Sequence, residues 1–68
     1  MNVKKVTDLK RGNKIAWLDV KKRQTGIVNK VEVMTDETVW VSTLTIGDLL
    51  STRLRVTKFN SEEVVELL

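Results

Sequence analysis

The residue types that usually do covalent chemistry are scarce in this sequence. It contains no histidine and no cysteine. That removes the commonest general base, the commonest metal ligand and the strongest natural nucleophile. Ser42, Ser51 and Ser61 have no histidine to activate them. The adjacent carboxylates Asp36/Glu37 and Glu62/Glu63 stand where a turn and a helix start favour acids, and sequence neighbours do not face one another on a helix. Gly12, Gly26 and Gly47 are isolated, so no glycine-rich phosphate loop is present. The expectation is a non-catalytic chain with no cofactor and no metal.

The remaining chemistry is cationic. Twelve Lys and Arg face nine Asp and Glu, giving a formal charge of +3, with a pI near 9.5. The charges are unevenly spread. Residues 1–30 hold nine cations against Asp8 and Asp19, whereas residues 31–68 hold three against seven acids. A basic half of this kind suits a polyanion. Lys21-Lys22-Arg23 is the densest run, and Lys10, Arg11, Lys4 and Lys5 could extend it. The plainer reading is a solvated surface with a chance asymmetry.

Strand periodicity suggests how those cations gather. Arg53-Leu54-Arg55-Val56-Thr57 alternates, which assigns Leu54 and Val56 to a core and Arg53 and Arg55 to the opposite face. Val39 and Val41 likewise leave Trp40 outside, and Val31 and Val33 leave Lys30 outside. Lys30, Trp40, Arg53 and Arg55 are therefore expected on one outer surface, the cations for phosphates and the indole for stacking on a base. A competing role for Trp40 is to plug a barrel end or seat a helix. Trp17 alternates with Ile15 and is assigned to the core.

Several short elements must hold these residues. Residues 2–6 suggest a weak first strand, Lys10–Asn13 a turn, Ile15–Val20 a strand and Lys21–Gln24 a polar loop. A further strand begins at Thr25, with a bend or bulge between Gly26 and Asn29, where the alternation fails. Thr35-Asp36-Glu37 is a tight turn before a strand over 38–45, and the last strand covers 53–57. Asn60 followed three residues later by Glu63 is a capping-box pattern, with Phe59 and Val64 placed for a hydrophobic staple. A short docked helix over 61–68 follows from it. Four or five short strands bury their faces and lose their edges by closing, so the expected fold is a mainly β, small antiparallel barrel as one domain.

The order Gly12-Asn13-Lys14-Ile15-Ala16-Trp17, Thr25-Gly26-Ile27-Val28-Asn29-Lys30-Val31 and Val39-Trp40-Val41 resembles the SH3-like barrels of the KOW and ribosomal-protein type, over residues 9–42. The resemblance implies a nucleic-acid-binding or protein-adaptor module without enzymatic activity.

The sequence thus sustains two functions. One is sequence-tolerant binding of DNA or RNA through Lys10, Arg11, Lys21, Lys22, Arg23, Lys30, Trp40, Arg53 and Arg55; the only expected helix is acidic and cannot read bases. The other is protein interaction, as an adaptor or a small inhibitor of a larger protein. Its contacts would be Ile46, Leu49, Leu50, Leu67 and Leu68, with the 46–50 segment otherwise a plug over one barrel mouth. A homodimer through a sheet edge or the helix fits both, and a small free-standing basic protein fits a bacteriophage origin. No apolar run approaches the roughly 20 residues of a membrane span. No apolar stretch follows the first charges and no disulfide can form, so a cytoplasmic location is expected.

Overall fold

The computed structural model describes residues 2–46 and 52–68, with Ile46 described by its backbone alone. Six strands are present among these residues: β1 (Val3–Lys5), β2 (Lys14–Asp19), β3 (Lys22–Val33), β4 (Thr38–Ile46), β5 (Thr52–Asn60) and β6 (Val64–Leu67). A single 3-10 turn, Val6–Asp8, follows β1. The strands form one antiparallel sheet in the order β1-β6-β2-β3-β4-β5.

One face of the sheet is the core. Ile15 and Trp17 of β2, Val28 of β3, Val39 and Val41 of β4, Phe59 of β5 and Val65 of β6 are buried there. The 3-10 turn lays Val6 and Leu9 over the same face, held by the Val6 N–H donating to the Glu63 carbonyl at 3.0 Å. Each such apolar side chain contributes about 1.5–3 kcal/mol relative to exposure.

The register of β3 shifts between Val28 and Lys30, a bulge where the alternation of the sequence broke down. The extra residue, Asn29, resets the phase: Val28 faces inward before it and Val31 after it. Gly26 faces inward two residues earlier. A Cβ at Gly26 would lie 2.9 Å from the Thr43 Cβ, so the strands can approach this closely only with glycine there.

The sheet rolls on itself. Trp17 and Phe59 meet edge to face with centroids 6.2 Å apart, although β3 and β4 separate their strands in the sheet. Asp19 and Arg55 form an ion pair in the same sense, two residues further along β2 and four back along β5. β5 therefore crosses over β2 on the inner side. The edge strands β1 and β5 are not hydrogen-bonded to each other, so this is an open sheet in place of the expected closed barrel.

Two local expectations are corrected. The 61–68 helix is absent, and Val64–Leu67 is a strand between β1 and β2. The capping contacts do form: the Asn60 N–H donates to Glu63 Oε2 at 3.1 Å, and the Glu62 N–H to Asn60 Oδ1 at 2.9 Å. They close a turn, however, and the two β-branched valines that follow pair with Lys5 and Lys4 of β1, while Glu66 and Leu67 pair with β2. Val64 is exposed, so it makes no staple with buried Phe59. Likewise Lys21–Gln24 is no loop: the β2–β3 hairpin turns at Val20 and Lys21, both at positive φ, and Lys22–Gln24 already belongs to β3.

Candidate functional site

The crossing of β5 over β2 gathers cations at one end of the inner face, beyond the apolar core. Asp19 and Lys22 are directly opposed in the β2–β3 hairpin and share that face. Arg55 of β5 reaches Asp19 across it. Arg53 lies two residues further along the same face of β5, opposite Thr45, whose hydroxyl donates to the Thr25 carbonyl of β3 at 3.2 Å. Lys21 stands on the hairpin tip next to Lys22. Among the described residues Arg55 is thus bound to the acid that faces Lys22, with Lys21 next to Lys22 on the tip and Arg53 two residues along β5. Asp19 neutralises part of that charge and holds the Arg55 guanidinium, a link from β2 to β5 that the sequence pattern did not reveal.

The tip itself is strained. Val20 has φ 48° and Lys21 φ 65°. A two-residue turn of this hand normally uses Asn or Gly, and left-handed backbone at other residues costs about 1–3 kcal/mol. Val20 is also 91% exposed, so its side chain offsets none of that strain. Val20→Asn is therefore expected to raise stability by about 1 kcal/mol, read as a higher urea midpoint with an unchanged slope.

The other candidate residues lie elsewhere. Arg53 and Arg55 do not share a face with Trp40 and Lys30. Thr43 opposes Arg55 and is buried on the inner face, while Trp40 opposes Lys58 and Glu32 on the outer one. The physical reason is a change of phase within β5. Its apolar residues occupy 54 and 56 but then 59, and the regular register with β4 permits only one parity inward. Phe59 wins the core, and Leu54 and Val56 are left 61% and 55% exposed.

Lys30 pairs with Glu32 at 2.8 Å, and Arg23 with Glu66 at 3.4 Å, both on the outer face. Such exposed pairs are worth about 0–1 kcal/mol each. Lys10 and Arg11 sit in the loop before β2, at the opposite end of that strand from the tip. There the Gly12 N–H donates to the Val28 carbonyl, and Gly12 adopts φ 97°. Six strand residues separate this loop from the tip, about 20 Å.

Of the protein-contact candidates, Leu67 packs against the core and Leu68 is exposed. Leu68 lines a shallow outer-face cleft with Lys14, Ile27 and Leu44. Leu49, Leu50 and the side chain of Ile46 lie outside the described residues. No helix among the described residues is long and apolar enough to cross a membrane. In comparisons with family models, curated proteins and solved structures, none matches this chain.

Proposed function

We propose that this chain is a non-catalytic module that binds nucleic acid through its phosphate backbone, at the inner-face end where the β2–β3 hairpin meets β5. The observation that carries this reading is the Asp19–Arg55 ion pair. It puts Arg55 of β5 within reach of the β2–β3 hairpin, which carries Lys22 opposite Asp19 and Lys21 at its tip. Phosphate contacts position a protein on a duplex without reading sequence. The binding is therefore sequence-tolerant. Trp40 takes no part, because it faces the other side. The rolled sheet, with β2 and β5 meeting across the core, supports keeping the SH3-like reading as a nearly closed form of that fold. Cytoplasmic placement belongs to the same proposal.

The test is a salt titration of affinity for random duplex DNA, single-stranded DNA and RNA. Three or four phosphate contacts give a log–log slope of about −3, and a loss of about 40- to 150-fold from 50 to 200 mM salt. Affinity that is flat across this range contradicts the reading.

A further inference from the structure

We propose that the edge of β5, which no other described strand pairs, accepts an extended acidic segment of a partner protein as a seventh strand. The direction of its backbone groups follows from the register. The Ser61 N–H donates to the Glu37 carbonyl at 2.9 Å, one step beyond the Thr38/Asn60 pair. Hydrogen-bonded pairs alternate along an antiparallel ladder. Arg53, Arg55, Thr57 and Phe59 therefore bond to β4, and Leu54, Val56 and Lys58 direct their N–H and C=O groups away from it. Asn60 bears this out: its N–H, of the outward set, is taken by Glu63 Oε2.

Proteins blunt a free edge with proline, bulges, edge lysines or inward-pointing charges. β5 has no proline and no register shift against β4, and the charges that guard it, Arg53, Arg55 and Lys58, are all cationic, so they repel a basic strand and not an acidic one. Its outer side chains at 54 and 56 are apolar and exposed, next to Leu44 and the 42% exposed Trp40 of β4.

Charge selects the occupant. β5 carries Arg53, Arg55 and Lys58 and no acid; the other edge, β1, carries Lys4 and Lys5 and no acid. Pairing two copies edge to edge sets cations beside cations. A partner strand that alternates apolar and acidic residues fits instead. Its apolar side chains extend the Leu54/Val56 surface, and its carboxylates meet Arg53 and Arg55 on the inner side. This surface shares Arg53 and Arg55 with the proposed phosphate site but excludes Lys21 and Lys22 of the hairpin tip.

The probe is a capped heptapeptide alternating Val and Glu, with a Val/Lys peptide as control. Two backbone-methylated isomers, one on the Val nitrogens and one on the Glu nitrogens, complete the set. Amide exchange at Leu54, Val56 and Lys58 is expected to slow at least tenfold with the Val/Glu peptide and not with the control. In antiparallel pairing the bonded residues share a face, so methylating the Val nitrogens abolishes the effect and methylating the Glu nitrogens preserves it. One-sided loss with the Glu isomer supports pairing in the parallel sense.

Equal binding of both isomers overturns the proposal, as does binding without protection of these three amides. Protection that rises with protein concentration in the absence of peptide assigns the edge to a second copy and also overturns it. The Lys21→Glu/Lys22→Glu variant keeps this response, so failure at the hairpin tip and failure at the edge are told apart.

Discussion

Trp17→Ala is expected to leave much of the chain unfolded at room temperature. Removing a buried tryptophan costs about 3–5 kcal/mol, while a domain of this length has in total about 3–10 kcal/mol. The loss is larger than volume alone suggests, because Trp17 is the contact through which β2 meets Phe59 of β5. Without it the roll of the sheet loses its support. Trp17→Phe is expected to be far milder. It retains an aromatic edge towards Phe59, and it removes an indole N–H that is buried without a hydrogen-bond partner. Leu18→Ala, at an exposed neighbour, should stay within about 0.5 kcal/mol of the parent. Urea unfolding of the three variants measures the series. A Trp17→Ala protein as stable as Leu18→Ala would contradict the packing described here.

The second large effect concerns binding. Lys21→Glu/Lys22→Glu is expected to weaken affinity for duplex DNA at least about tenfold at low salt and to reduce the salt slope by about two, one for each phosphate contact removed. Lys10→Glu/Arg11→Glu changes the net charge by the same amount, at the other end of β2. It is expected to leave the slope nearly unchanged. Asp19→Asn acts in the opposite direction: it removes the acid at the tip, releases Arg55 and strengthens binding. Parallel gel-shift titrations of the three variants give all of these results. Equal losses from the two double reversals would mean that net charge alone governs association, with no site.

What the sequence made legible was local. The alternation of Val39 and Val41, the break near Asn29 and the pairing of Ile15 with Trp17 each reflect a strand with one buried face, and each reappears in the structure. What was hidden depends on long-range choices. In β5, two incompatible apolar phases compete within nine residues, and only the position of the core decides for Phe59 over Leu54 and Val56. At the C-terminus, Asn60 and Glu63 make the same side-chain bonds for a turn as for a helix start, and pairing with β1 and β2 selects the strand. The link from Arg55 to Asp19 of the β2–β3 hairpin was illegible for the same reason. It depends on how far the sheet rolls, which no spacing along the chain encodes.

Amide chemical-shift mapping during titration with a short random duplex tests the central idea most directly, because it reports where phosphate meets the protein. Perturbations are expected at residues 19–22 and at Arg53 and Arg55, fading as salt rises, with Lys10, Arg11 and Lys30 unmoved. Shifts centred on Lys30 and Trp40, or spread evenly over every exposed cation, would contradict it.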